Sequence, residues 1–184
     1  MRALVWIIED TWQATIDDAD ALLPSEAEIT LLHVASTEPE TVARAARRGL
    51  LGRHPPPPPA PQELQTISDQ AARELLTEAR ARLGRSATLQ ARRGRVEREV
   101  VAAAEHADVL VLARDGDRER LGPRSLGPAT RFVIDHAPCQ VLLIWPDTAP
   151  ELRTIPAPPP PGGPAPHPPP RKSPRPDGRN PQGP

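Results

Sequence analysis

Residues 107–146 decide the fold: ADVLVLARDGDRERLGPRSLGPATRFVIDHAPCQVLLIWP. Asp108–Ala113 and Gln140–Trp145 are short, unbroken apolar runs. Runs of this kind predict strands covered on both faces, hence a parallel sheet between helices. Between them lie Gly116, Gly122 and Gly127, then a helical pattern that starts at Pro128 and ends at His136. A glycine-bearing loop that leaves a strand and opens a helix is where α/β proteins bind phosphates and other anions. This loop is therefore the first candidate site.

Working outward, the preceding stretch predicts a helix after Gly94 with Val96, Val100, Val101, Ala104 and Ala107 turned inward. Before it, Ala87–Ala91 is a polar-flanked strand suited to a sheet edge. In Gln62–Leu83, Leu64, Ile67, Ala71, Leu75, Ala79 and Leu83 recur at three and four residues, which predicts a long helix that Gly84 ends. At the N-terminus, Leu4–Ile8 and Glu28–Ala35 read as buried strands. The helix between them places Trp12, Ile16, Ala19, Leu22 and Leu23 on one face, with Asp10 or Thr11 as its cap and Pro24 as its stop. The order is β-α-β-α-β-α-β-α-β. It predicts an α/β fold built on an open, doubly wound, parallel five-stranded sheet with right-handed crossovers.

The chain has 184 residues and only 38% hydrophobic residues, and most of its 27 prolines fall at Pro55–Pro61 and after Ile155. One domain is expected over residues 1–150, with a proline-rich surface insertion at about 36–61 and a disordered, proline-rich tail over 151–184. Within the insertion, Val42, Ala45, Ala46 and Leu50 suit a short helix, and the prolines after His54 favour an extended polyproline conformation. Either segment could serve as a ligand for a partner protein, although a solvent loop explains the insertion as well. The net charge of −1 offers no global field for nucleic acid or membrane. Cys139 is the only cysteine, which excludes an internal disulfide and fits a reducing cytoplasm. The apolar run at Met1–Ile8 is too short for a signal segment, and no run approaches the length of a membrane span.

Candidate chemistry is sparse. His33 reads as a hydrogen-bonded core histidine, and His136 as a cation at a helix C-terminus. Cys139 reads as a small filler, Trp6 and Trp145 as sheet residues, and Trp12 as a helix anchor. Arg114, Arg118, Arg120 and Arg124 form either a solvated face or a phosphate grip. There is no GxxxxGK[ST] loop, GxSxG elbow or HxGH pair, and no metal-ligand spacing.

The order of elements, LLHVA closing the second strand, GRVEREVVAAAEHADVLVLARDG before the loop and HAPCQVLLIW at the end resemble the universal stress protein family over Met1–Pro146. The resemblance implies a Rossmann-like or flavodoxin-like sheet of order 3-2-1-4-5. It also implies a homodimer, here through Gln140–Trp145, and, in one branch of the family, an ATP site. That branch carries Gly, two residues, Gly, nine residues, then Gly and Ser or Thr. Here Ala113 and Gly116 take the first two glycine positions, ten residues precede Gly127, and Pro128 stands at the hydroxyl position. Glu9, Asp10 and Thr11 replace the Asp-Gly-Ser that follows the family's first strand. With Val34, Leu112 and Ala129 these residues form the candidate nucleotide-binding set. Proline offers neither hydroxyl nor N–H to a phosphate, and Asp115, Asp117 and Glu119 oppose one. Glu9 is placed to accept hydrogen bonds from a ribose.

Three functions follow. The first is a non-enzymatic stress-response regulator that senses an adenine nucleotide or works without any cofactor. The second is an ATP-binding protein that uses magnesium and hydrolyses or switches weakly. The third is a proline-rich adaptor on a scaffold domain.

Overall fold

The computed structural model describes residues 1–37 and 61–157. Five strands alternate with four α-helices: β1 (Arg2–Trp6), α1 (Trp12–Leu22), β2 (Glu28–Ser36), α2 (Pro61–Leu83), β3 (Ala87–Gly94), α3 (Val96–Ala104), β4 (Val109–Ala113), α4 (Pro128–His136) and β5 (Gln140–Ile144). Two 3-10 turns follow β4 and β5, at Pro123–Ser125 and Leu152–Thr154. Every strand pair is parallel, and the order is β3-β2-β1-β4-β5. This is the doubly wound sheet expected from the apolar runs. The short helix expected around Val42–Leu50, the polyproline run before Pro61 and the tail beyond Ala157 lie outside the described residues. The Leu152–Thr154 turn falls inside the stretch expected to lack structure. It is held by backbone bonds from Thr154 and Ile155 to the carbonyls of Glu151 and Leu152.

Alternation along each strand feeds two cores. On one face Ala3, Val5, Ile7, Ile29, Leu31, Val109 and Val111 pack with Ile16 and Ala19 of α1 and with Leu76, Ala79 and Leu83 of α2. On the other, Leu4, Trp6, Leu32, Val34, Leu110 and Leu112 pack with Val100 and Ala104 of α3 and Val133 of α4. Each large apolar side chain removed from water in this way contributes about 1.5–3 kcal/mol. Both faces of β1 and β4 are thus covered, which is why their sequences are apolar without a break. Trp6 is a core residue, as expected, and Trp12 packs against the first core.

Three local expectations change. Leu22 is 59% exposed, and Leu23, just past the helix end, is the buried residue. The buried face of α2 is Ala72, Leu76, Ala79 and Leu83, whereas Ile67 is 66% exposed and Ala71 is exposed. Leu75, Ala79 and Leu83 of the expected series do meet the core, and the departure is in the first half of the helix, where Ala72 and not Ala71 is buried. The first half of α2 instead borders an open cavity through Ile67, Ser68 and Ala71. Finally, Thr11 stands at the cap position of α1 but its side chain makes no capping bond. Its hydroxyl is buried without a partner, and its carbonyl accepts the Thr15 hydroxyl at 2.9 Å.

The amino-terminal ends of β1 and β4 are tied by one carboxylate. Asp108 Oδ2 accepts the Arg2 backbone N–H at 2.7 Å, and Oδ1 accepts the Arg2 guanidinium at 3.2 Å. The backbone bond first, and the side-chain bond after it, hold the Asp108 carboxyl below its ordinary value.

Two predictions follow from this packing. Leu76→Ala lowers the unfolding free energy by about 2–5 kcal/mol in urea titration, while Ile67→Ala changes it by less than about 0.5 kcal/mol. A depressed carboxyl stabilises the fold above the unfolded-state value and loses that effect as pH falls through the folded-state value. Asp108→Ala therefore lowers the melting temperature at neutral pH, and the gap to wild type closes on acidification below about pH 4.

Candidate functional site

The strand order turns back at β1, since the chain moves from β1 to β2 and β3 on one side and returns to β4 and β5 on the other. Right-handed crossovers then place the helices of the two halves on opposite faces, which leaves a crevice beyond the carboxyl ends of β1 and β4. Three adjoining cavities occupy this edge. The central one, about 300 Å³, is walled by Trp6, Ile7, Ile8, Glu9, Asp10, His33, Val34, Val96, Asp115 and Ala129. A second, about 380 Å³, shares Glu9, His33 and Val34 with it and extends to Ala72 and Arg93. A third, about 570 Å³, shares Val96 and Ala129 and adds Arg95, Pro128 and Phe132.

Of the candidate set, Glu9, Asp10, Val34, Pro128 and Ala129 wall this crevice. Thr11 borders a different cavity, which Asp10 also lines, with Asp17, Arg118 and Asp147. Leu112 and Ala113 are buried in β4, and the Ala113 methyl is packed inside and does not face a ligand.

Gly116 and Gly127 serve the loop itself. The Gly116 amide donates to the Ser125 carbonyl at 3.0 Å, and the Asp117 amide to the Arg124 carbonyl at 2.8 Å. A Cβ on Gly116 would stand 2.8 Å from the Ser125 carbonyl carbon, so the two arms of the loop can approach this closely only at a glycine. The Gly127 amide donates to Asp115 Oδ1 at 2.7 Å. A carboxylate of the chain itself thus sits at the start of α4, where the helix dipole and unpaired N–H groups favour an anion. Pro128 contributes no N–H there.

Two of the loop arginines brace the loop. Arg114 stacks over Trp145 at 4.6 Å from the ring centre and donates to the Ser125 hydroxyl. The Ser125 hydroxyl in turn donates to the Gly122 carbonyl at 2.7 Å. Arg118 pairs with Asp147 at 3.1 Å. The Leu121 amide donates to the Thr154 hydroxyl at 3.1 Å, so the turn after β5 also pins the loop. None of the four loop arginines walls the three crevice cavities. Among the described residues the guanidinium groups that do so belong to Arg93, bound to Asp69 at 2.6 Å, and Arg95, bound to Glu97 at 2.7 Å.

The remaining candidates are structural. His33 Nδ1 donates to the Ile7 carbonyl at 3.0 Å inside the core. His136 stacks on Phe132 at 4.0 Å between ring centres, and its Nδ1 donates to the Phe132 carbonyl. Cys139 packs partly buried against the second core, and burial pushes its thiol up. A raised thiol is less reactive, as expected of a filler. Among the described residues no group of three or more His, Cys, Asp or Glu side chains is placed to hold a metal ion. No helix among them is long and apolar enough to cross a membrane.

The family model described as the universal stress protein family matches residues 13–144. The chain belongs to the universal stress protein family. Solved structures agree on the fold. The hypothetical protein MJ0577 superposes with a TM-score of 0.59 at 19% identity, over 78% of this chain and 94% of that one. The universal stress protein UspA from Lactobacillus plantarum gives 0.52 at 21%, over 78% and 97%. A universal stress protein in complex with cAMP gives 0.54 at 14%, over 80% and 98%. No curated protein matches the sequence.

Within this universal stress domain the loop depends on Gly116. Gly116→Val, which drives a side chain into the backbone of Arg124 and Ser125, costs about 1–3 kcal/mol of stability. It also exposes the 114–127 loop to limited proteolysis, read by peptide mapping of the nicked chain.

Proposed function

We propose that this universal stress protein is a regulatory binding module that holds an adenine-containing ligand in the crevice between β1 and β4 and does not hydrolyse it. The observation that carries the reading is the central cavity. It has apolar walls from Ile8, Val34, Val96 and Ala129 and three carboxylates in its lining, Glu9, Asp10 and Asp115. Apolar walls suit a purine, and carboxylates at a strand end suit ribose hydroxyls. A universal stress protein of the same fold is known in complex with cAMP, which supports an adenine compound as the ligand class. The acceptor-only carboxylates and the braced arginines offer no group to stabilise a transferring phosphoryl, which favours binding over hydrolysis.

The reading includes a homodimer. β5 is an edge strand whose Val141, Leu142 and Leu143 are partly exposed, and edge strands pair with a second copy readily. It also places the protein in the cytoplasm, where a lone cysteine stays reduced.

Thermal denaturation with adenosine, AMP, cAMP and ATP, with and without magnesium, tests the reading. A ligand at one hundred times its Kd stabilises the native state by about 2.7 kcal/mol. At least one adenine compound is expected to raise the melting temperature by several degrees, and Ala129→Phe, which fills the crevice, is expected to abolish the rise. No shift with any of the four at millimolar concentration would refute it.

A further inference from the structure

We infer that Asp115 is the specificity-determining residue of the crevice, and that it selects an unphosphorylated nucleoside over a nucleoside polyphosphate. The inference rests on the proposed adenine site and names its ligand class. Two independent observations meet at this side chain. Its carboxylate accepts the Gly127 amide at 2.7 Å, so the N-terminal end of α4 already holds an anion. Asp115 also walls the central cavity together with Glu9 and Asp10, and among the described residues no lysine or arginine lines that cavity.

A phosphate entering the central cavity toward α4 meets three carboxylates, and the guanidinium groups of the adjoining cavities, Arg93 and Arg95, are already paired with Asp69 and Glu97. To reach the helix terminus it must displace an internal anion from a charge-assisted hydrogen bond. The fit of the loop reinforces the occupancy. A Cβ on Gly127 would stand 2.7 Å from Asp115 Oδ2, so the carboxylate lies directly against the backbone that a phosphate would need to approach. A neutral nucleoside makes no such demand. Its base lies on the apolar walls, and its ribose hydroxyls donate to carboxylates that remain acceptors. The same charges that repel a polyphosphate therefore bind a ribose.

Isothermal titration of the full chain with adenosine, AMP, ATP and inorganic pyrophosphate, with and without magnesium, tests this on wild type, Asp115→Ala and Asp115→Asn. Wild type is expected to bind adenosine at least about tenfold tighter than ATP, the effect of one hydrogen bond to a charged group. Asp115→Ala is expected to close that gap by about tenfold and to gain binding of pyrophosphate. Asp115→Asn, which removes the charge at constant size, follows in the same direction with a smaller change. The ratio of ATP to adenosine affinity is the readout, because a merely structural loss weakens both ligands together.

Wild-type affinity for ATP equal to or above that for adenosine overturns the inference. So does a ratio unchanged in both variants. If adenosine binds no variant but Asp115→Ala gains pyrophosphate, the gate at α4 stands and the adenine reading of the crevice falls. If adenosine binds and no variant gains pyrophosphate or ATP, the adenine reading stands and the gate falls.

Discussion

β1 must be buried on both of its faces, and most of the structure follows from that requirement. It lies at the centre of the sheet, with β2 on one side and β4 on the other. Its odd residues enter the core under α1 and α2, and its even residues enter the core under α3 and α4. Two right-handed windings that start from one strand cannot cover the same face, so they part at β1. The gap between them opens at the carboxyl end, where Glu9 and Asp10 leave the strand and the 114–127 loop leaves β4. The crevice is a consequence of covering a central apolar strand and needs no separate device.

The loop at that end is closed on itself. Its Gly116 amide bonds to the Ser125 carbonyl and its Gly127 amide to Asp115, and Arg114 is spent on Trp145 and Ser125. Arg118 and the Thr154 turn fasten it to the segment after β5. A loop built to cradle phosphates leaves such groups free for the ligand. Here Gly116, Gly127, Arg114 and Arg118 make bonds within the chain, and among the described residues the central cavity is walled by carboxylates, His33 and apolar side chains. The crevice therefore has space for a ligand and a charge pattern that disfavours a polyanion.

The fold was largely legible in the sequence because its strands are short apolar runs with sharp polar ends. Leu4–Ile8, Glu28–Ala35 and Asp108–Ala113 could be read as doubly covered strands from side-chain type alone. Pro128 marked the start of α4 to the residue, since proline after glycine suits a first helical turn. The buried face in the first half of α2 was not legible. Ala71 and Ala72 are adjacent and alike, and only the docked sheet selects between them. Leu22 and Leu23 posed the same ambiguity at a helix end. In the site, the replacement of the hydroxyl position by Pro128 and the acidity of the loop already argued against a phosphate. What sequence could not supply was the partner of Asp115. Gly127 lies twelve positions away, across a loop whose closure depends on Gly116 and Ser125 meeting in space. Sequence also could not show that Arg114 meets Ser125 and Trp145 and Arg118 meets Asp147, and that neither walls the crevice.

The central claim is that the helix terminus facing the crevice is occupied by a carboxylate of the chain itself. The most direct measurement is the Gly127 amide proton resonance of the ligand-free protein in wild type and Asp115→Ala. A short bond to a carboxylate predicts a strongly downfield amide in wild type that returns to an ordinary position in the variant. It also predicts that added pyrophosphate moves that resonance only in the variant. An ordinary Gly127 amide in wild type, or one that pyrophosphate shifts equally in both proteins, would contradict the account.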